Sequence, residues 1–167
     1  RRTEADITRS RQLAQEAIDL DPEYGAAYLQ LAYTHLDDVW FYRTPSREAS
    51  LNTAEELGYK AIRFSGEGAD TYRLFSIIYL LRRQYDAAVA EGRKAIALSP
   101  NSARTLFMFG MVLRFAGFYD EAIENLEKAI RLDPITTINY LNNLAKVSGR
   151  EFGVTSCITS AVWWIGW

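Results

Sequence analysis

A single histidine, His35, limits the chemistry that the side chains of this 167-residue chain can perform. It precedes two carboxylates, Asp37 and Asp38, and the three side chains together could ligate a metal ion. Catalytic triads and metal clusters built on several histidines are hardly possible with only one. We therefore interpret this group as a solvated helix end and predict no metal site.

Three other features have simple structural interpretations. The one cysteine, Cys157, has no neighbouring histidine or lysine that would activate its thiol, and we expect it to be a packed small residue. The glycines of residues 66–68 form a turn, because no Gly-Lys-Ser/Thr follows them as in a phosphate-binding loop. Glu55 and Glu56 are adjacent and point in different directions from a helix. The sequence thus predicts no catalytic residue, no cofactor and no enzymatic activity.

Composition and charge indicate which kinds of binding partner and which cellular compartment suit this chain. The chain is 49% hydrophobic with a net charge of -2 at pH 7, so it has no basic excess for nucleic acid or an anionic membrane. One cysteine excludes an internal disulfide and fits a reducing compartment. No apolar run reaches the roughly 18–20 residues of a membrane span, and no signal peptide is evident. We predict a cytoplasmic protein and, since the chain starts Arg1-Arg2 without methionine, a piece of a longer one.

The dipeptide Ala-Ile recurs along the chain and reveals an internal repeat. Its copies start at positions 17, 61, 95 and 129, so the last two steps are 34 residues and the first is 44. Proline follows three copies at a constant offset, as Pro22, Pro100 and Pro134, and Gly66 takes that place in the remaining copy. The residue before a proline is driven out of helical geometry, so each of these prolines predicts a helix end.

A 34-residue period built of two helices is typical of the tetratricopeptide repeat, and this sequence resembles that family. The resemblance is closest in the copy ending at Pro134, through Leu106, Phe109, Gly110, Leu113, Gly117, Tyr119, Ala122, Leu126 and Ala129. The resemblance implies an all-α fold, an α-solenoid of stacked antiparallel helix pairs with a right-handed superhelical curve. Small residues spaced seven apart, such as Ala122 and Ala129, also favour close helix packing.

The predicted organisation is a repeat array over residues 1–148 and an atypical hydrophobic segment over 149–167. The array comprises a second-type helix of a truncated repeat at 5–22, repeats at 25–66, 69–100 and 103–134, and a partial repeat at 136–148. Hydrophobic periodicity predicts helices over 7–20, 24–41, 46–64, 69–81, 85–98, 103–115, 119–132 and 136–147.

The first full repeat carries ten extra residues between its helices. Split evenly, they would lengthen each helix by about one and a half turns and raise the hairpin above the solenoid, with Ser46 capping the second helix. The hairpin carries the aromatic patch Trp40, Phe41 and Tyr42. These aromatics either pack within the hairpin or form a knob that binds a partner.

The long hairpin, together with the segments 21–24, 80–86 and 131–134, is similar to repeat regions attached to bacterial class III nucleotide cyclases and to some transcriptional regulators. This resemblance implies a regulatory module of a larger bacterial signalling protein. No cyclase catalytic segment is present, so no cyclase residue is carried over.

The family resemblance also implies a binding groove, since first helices line the concave face and hold extended or helical peptides. The matching positions are Leu29, Tyr33, Leu36, Arg73, Ile77, Leu80, Arg104, Phe107, Met111, Arg114, Asn142 and Lys146. Cations among apolar residues suit an acidic partner with aromatic or other hydrophobic anchors. Alternatively, the arginines pair with acidic residues of adjacent helices and hold the stack together. Ile77 and Met108 replace the polar residues of the family's carboxylate clamp, which argues against binding of chaperone tails.

Two functions follow as hypotheses. The first is a scaffold that binds a peptide or protein partner in its groove. The second is an oligomerisation scaffold that self-associates through the uncharged tail. The large side chains of that tail are Phe152, Val162, Trp163, Trp164, Ile165 and Trp167.

Overall fold

The computed structural model describes residues 3–134, and within that range it shows seven α-helices and no β-strand. The helices are α1 (Glu4–Leu20), α2 (Gly25–Trp40), α3 (Arg47–Ser65), α4 (Ala69–Leu81), α5 (Tyr85–Leu98), α6 (Ala103–Ala116) and α7 (Tyr119–Leu132). The all-α prediction is confirmed, and the predicted boundaries of these helices differ from the observed ones by at most three residues. The predicted helix over 136–147, the partial repeat and the hydrophobic segment over 149–167 lie outside the described residues.

The chain divides into two compact units, Arg1–Ser99 and Pro100–Trp167. In the first, α2 packs against α1, α3 and α4, while α4 also packs against α3 and α5. In the second, α6 packs against α7. The pairs α2–α3, α4–α5 and α6–α7 correspond to the three predicted repeats, and the right-handed superhelical curve stays a prediction.

Prolines end three helices as predicted. The residues before them, Asp21, Ser99 and Asp133, have φ angles of -139°, -141° and -137° with positive ψ, which lies outside helical geometry. Their own N–H groups still donate to helical carbonyls, so each helix closes its last turn before the chain leaves it.

The first helix of each repeat is followed by a residue whose backbone has left-handed (αL) geometry. These residues are Tyr42, Arg83 and Gly117, with φ angles of 56°, 61° and 89°. The next N–H in each case donates five residues back: Arg43 to Asp38 at 2.8 Å, Gln84 to Tyr79 at 2.9 Å and Phe118 to Leu113 at 2.9 Å. This is the Schellman termination, which favours glycine because a Cβ clashes in left-handed geometry. Only the third repeat has glycine there.

Small residues allow the paired helices to meet at close range. Ala88 and Ala122 are fully buried at equivalent positions of α5 and α7. On α4, opposite Ala88, the Ser76 hydroxyl donates to the backbone carbonyl of Ala88 at 2.7 Å. Opposite Ala122, a Cβ on Gly110 would lie 2.8 Å from the Cγ of Leu126 and 3.3 Å from the carbonyl of Ala122. A larger side chain at either interface would force the two helices apart.

The ten extra residues of the first repeat are not shared equally. Helix α2 has 16 residues against 13 in α4, whereas α3 has 19 against 14 in α5. The predicted even split is therefore wrong, because the second helix takes more of the insertion and residues 41–46 form a longer connection. Ser46 does cap α3, since its hydroxyl accepts from the Ala49 N–H at 3.3 Å.

The beginning of α3 is fastened to the end of α4. The Arg82 guanidinium donates to Glu55 at 2.7 Å, to Asn52 at 2.6 Å and to Glu48 at 3.2 Å. Arg47 also donates to the backbone carbonyl of Leu81. The second helix of the hairpin is thus braced by the neighbouring repeat along its added turns.

These contacts predict that overpacking α5 destabilises the fold. Ala88→Leu places three extra carbons against α4 and should lower the free energy of unfolding by about 1–3 kcal/mol. Ala90→Leu is the matched control on the exposed side of the same helix, where a change within about 0.5 kcal/mol is expected. Chemical denaturation of both variants checks this, and equal midpoints would contradict the assigned helix faces.

Candidate functional site

The predicted groove positions lie on α2, α4 and α6, the first helices of the three repeats. Asn142 and Lys146 lie outside the described residues. The other positions fall into two sets, one in each unit: Leu29, Tyr33, Leu36, Arg73, Ile77 and Leu80 in the first, and Arg104, Phe107, Met111 and Arg114 in the second.

Arg73 and Tyr33 are brought together by the packing of α4 on α2. The Arg73 Nε donates to the Tyr33 hydroxyl at 3.1 Å, and that hydroxyl donates to the Asp70 carbonyl at 3.1 Å. Arg73 also pairs with the Asp70 carboxylate at 2.6 Å. Because Arg73 is only 5% exposed, it joins two helices and does not offer an open cation to a ligand. For this residue the alternative interpretation, a cation that holds the stack together, is the one that fits.

The apolar positions of the first unit serve the same packing. Leu36, Ile77 and Leu80 are buried, and Leu29 is half-buried. Burial of such side chains stabilises the fold by about 1.5–3 kcal/mol each. These residues are core in the chain as described, so in this unit the first helices offer little open surface for a partner.

The second unit differs, because its predicted positions include exposed and half-exposed groups. Arg104, Phe107, Met111 and Arg114 are three or four residues apart and therefore share one face of α6. Arg104 is exposed, Phe107 and Arg114 are half-buried, and Met111 is buried. This face therefore has a cation at each end, Arg104 and Arg114, and two apolar side chains between them.

Arg114 is a partly buried cation without a compensating acceptor in the described part of the chain. Its Nε is buried and makes no hydrogen bond there. The guanidinium lies over the Phe115 ring, 4.2 Å from its centroid, and burial lowers its pKa. Arginine nevertheless stays charged at neutral pH. An incoming carboxylate would therefore meet a cation whose desolvation has already occurred in folding.

The aromatic patch at the end of the long hairpin faces solvent. Trp40 is 37% exposed, Phe41 is 43% exposed and Tyr42 is 91% exposed. Packing of these aromatics within the hairpin is therefore incomplete, and for Tyr42 it is nearly absent. Their role in binding a partner stays a prediction.

Arg43, which follows this patch, is a residue that the sequence did not single out. Its guanidinium lies 4.8 Å from the centroid of the Phe41 ring. Its Nε and Nη2 are buried and have no hydrogen-bond acceptor among the described residues. Only its position directly after three aromatics could have drawn attention to it.

His35 belongs to a group that links α1 to α2. Arg11 pairs with Asp38 at 2.5 Å and donates from Nε to the Thr34 hydroxyl at 3.3 Å. Burial lowers the pKa of His35, the nearby Arg11 lowers it further, and Asp38 acts in the opposite direction. Among residues 3–134, no three histidine, cysteine or carboxylate side chains gather closely enough to hold a metal ion. Asp38 is already engaged by arginine, which favours a structural role for this group.

None of the helices in the described range combines the length and apolar character needed to cross a membrane.

Comparison with known proteins agrees with this architecture. Residues 103–136 match the tetratricopeptide repeat family model. Solved structures of three proteins share the fold. TTC0263, a thermophilic tetratricopeptide protein of Thermus thermophilus, has a TM-score of 0.69 and 19% identity, over 84% of this chain and 72% of that one.

The two other structures are YrrB and MamA. YrrB, described as a tetratricopeptide protein with an unusual peptide-binding site, has a TM-score of 0.55 and 19% identity, over 88% of this chain and 72% of that one. MamA has a TM-score of 0.58 and 23% identity, over 89% of this chain and 82% of that one. No curated protein matches the sequence.

Residues 3–134 have the all-α tetratricopeptide-repeat fold, and residues 103–136 match the model of that repeat. The resemblance inferred from the repeat spacing is thereby confirmed. The attachment to a cyclase or a transcriptional regulator stays a prediction.

The burial of Arg73 predicts a loss of stability on its removal. Arg73→Ala deletes hydrogen bonds to Tyr33 and Asp70 at once, and a charged hydrogen bond contributes about 1.5–3 kcal/mol. We expect the free energy of unfolding to fall by about 1–3 kcal/mol, because the exposed Asp70 carboxylate can be solvated afterwards. Arg9→Ala, at an exposed position of α1, is the control. An unchanged denaturation midpoint for Arg73→Ala would contradict the structural role of Arg73 and favour its role in the binding groove.

The lowered pKa of His35 predicts weaker folding in mild acid. Its ordinary pKa is 6.5, and a lower folded value means that the unfolded chain binds the proton more readily. Stability contributed by neutral His35 is complete above about pH 6.5 and declines as the pH falls from there towards the folded pKa. His35→Gln should remove this component. Thermal melts at about pH 7.5 and about pH 5.5, on either side of the ordinary pKa, check it, and an equal pH dependence in both proteins would refute the assignment.

Proposed function

We propose that this chain is a scaffold that binds a peptide or protein partner, and that one partly exposed face of α6 contacts that partner. Tetratricopeptide-repeat proteins are in general protein-interaction scaffolds. Support for α6 comes from the contrast between the units, since the matching side chains of α2 and α4 are mostly committed to packing. The α6 surface is defined here as Arg104, Phe107, Met111 and Arg114.

The observation that carries this proposal is the half-buried Arg114. Its cation has lost part of its hydration and gains no acceptor from the described residues. A buried, unpaired polar group costs about 1–3 kcal/mol, and a charged group costs more. A ligand carboxylate would compensate the charge of the guanidinium through a charge-assisted hydrogen bond to its accessible part, while the Nε itself stays covered.

The chemistry of the partner follows from the neighbours of Arg114. Phe115 and Phe118 expose nearly half of their surface, and half-buried Phe107 adds apolar area on the face of α6 that carries Arg114. A segment with a carboxylate and one or two aromatic or aliphatic side chains suits this surface. The peptide-binding site attributed to the structurally similar YrrB is compatible with this use of the fold.

The wider role that we propose is regulatory. The resemblance of the long hairpin and residues 80–86 to repeat regions of bacterial cyclases and regulators supports a cytoplasmic module of a larger signalling protein. The domains encoded beside it in the parent gene are the direct test. Self-association through residues 149–167 rests on a segment outside the described range and stays a prediction.

Replacement of Arg114 should separate binding from stability. Arg114→Gln should weaken binding of an acidic peptide at least about tenfold, because one charge-assisted hydrogen bond contributes about 1.5–3 kcal/mol and about 1.4 kcal/mol is tenfold. The melting temperature should stay equal or rise, since an uncompensated cation is removed. Fluorescence anisotropy with a peptide selected on the wild-type chain from a random library measures the affinity.

The control is Arg131→Gln on α7 of the same unit. Arg131 is 62% exposed in its side chain and lies 3.9 Å from Glu127, a pair of little energetic weight. Arg131→Gln removes one positive charge from the same unit, as Arg114→Gln does, and should leave the affinity for the peptide unchanged. A lower melting temperature for Arg114→Gln, or equal losses in both variants, would count against the α6 surface.

A further inference from the structure

We infer that the end of the α2–α3 hairpin, residues 40–43, is a second docking surface that binds an acidic, apolar-anchored segment of a protein partner independently of the α6 surface. We call residues 40–43 the hairpin tip. It has three features: exposed aromatic side chains, an unfavourable backbone conformation at Tyr42, and a guanidinium group at Arg43 with hydrogen-bond donors that have no acceptor in the described chain.

The exposed aromatic area is the first observation. Trp40, Phe41 and Tyr42 are consecutive and all exposed, and Tyr42 is 91% exposed. Contiguous exposed aromatics are unfavourable in water and mark interaction sites in folded proteins. Tyrosine and tryptophan also dominate the energetics of protein interfaces, because they bury much area at a low cost in conformational entropy.

The backbone of Tyr42 is the second observation. Tyr42 occupies the left-handed position at which the third repeat has Gly117. A residue with a Cβ is disfavoured in that geometry. Its side chain recovers almost none of this cost through packing, since it is nearly fully exposed. Arg83 has the same backbone geometry in the second repeat. What distinguishes Tyr42 is the aromatic ring that it exposes at this cost.

The charge of Arg43 is the third observation, and it identifies the occupant. Two of its guanidinium nitrogens, Nε and Nη2, are covered by protein without an acceptor in the described residues. Nη1 is not among these covered atoms without a partner, and we assign the ligand contact to it. A carboxylate at Nη1 would compensate a cation that the fold leaves unpaired. The occupant is therefore acidic, with an apolar side chain that covers the aromatics.

The hairpin tip is held in place before any partner arrives. The Thr44 hydroxyl lies 2.7 Å from that of Ser50 and donates to the carbonyl of Ser46 at 3.0 Å. Arg47 and Arg82 fasten the start of α3 to the end of α4. A preorganised surface binds with a smaller entropic cost than a mobile loop.

A subtractive selection tests this surface directly. Random phage-displayed dodecapeptides are first depleted on the full Tyr42→Gly chain and then selected on the wild-type chain. We expect enriched peptides to combine aspartate or glutamate with aromatic or leucine side chains. Their affinity, measured by fluorescence anisotropy, should fall at least about tenfold for Arg43→Gln and stay unchanged for Arg114→Gln.

A matched variant separates relief of strain from loss of a contact. Arg83 occupies the same left-handed position in the second repeat. Tyr42→Gly and Arg83→Gly should both melt at or above the wild-type temperature, whereas only Tyr42→Gly should lose the peptide. Equal affinities for the two variants would overturn the inference.

Three other results would also overturn it: no enrichment, enriched peptides without acidic residues, or binding that survives Arg43→Gln. Binding lost in Arg114→Gln but kept in Arg43→Gln would place the peptide on the α6 surface. That result would support the proposed function while rejecting the hairpin tip. Sedimentation analysis that shows a wild-type dimer dissolved by Tyr42→Gly would overturn it as well, since the occupant would then be a second copy of this chain.

Discussion

The close approach of paired helices at their small residues is the constraint on which the rest of the structure depends. Ala88 and Ala122 leave no bulky side chain between the helices, so the backbones themselves come into contact range. One interface adds a hydrogen bond from Ser76, and the other uses the missing side chain of Gly110. The two solutions differ chemically, but each places a small residue between the paired helices. The face of each helix that carries these small residues is packed, so the remaining faces carry the side chains that meet solvent.

A fixed interface of this kind also explains how the first repeat tolerates ten additional residues. The insertion lies at the open end of the helix pair, where added turns do not disturb the small-residue contact. Long insertions in surface connections carry only a modest entropic cost. Arg82 then converts the added turns of α3 into a contact with α4, through Glu48, Asn52 and Glu55. The exposed aromatics at the end of the hairpin are consequently carried on a braced support.

The arginines of this protein divide by whether the fold supplies their acceptor. Arg11, Arg73 and Arg82 each find a carboxylate within the first unit, and they tie α1 to α2, α4 to α2 and α4 to α3. Arg43 and Arg114 keep buried donors without an acceptor in the described chain. Paired guanidinium groups stabilise the native state, whereas unpaired ones are open to a partner's carboxylate. This division underlies both surfaces proposed for binding.

The sequence by itself determined the repeat, the helix type and most helix boundaries, because these depend on local rules. A 34-residue period, prolines after Asp21, Ser99 and Asp133, and glycine or alanine at packed positions each leave a direct mark on the residue order. The tertiary structure decided which residues of the predicted groove stay accessible. Arg73 and Arg114 look alike in sequence, since each sits among apolar residues of a first helix. Asp70 on the same helix pairs with Arg73, and the packing of α4 on α2 adds the Tyr33 hydroxyl and buries the guanidinium. Arg114 is partly buried, but its Nε finds no acceptor in the described chain. The sequence does not show this difference, because burial depends on distant segments.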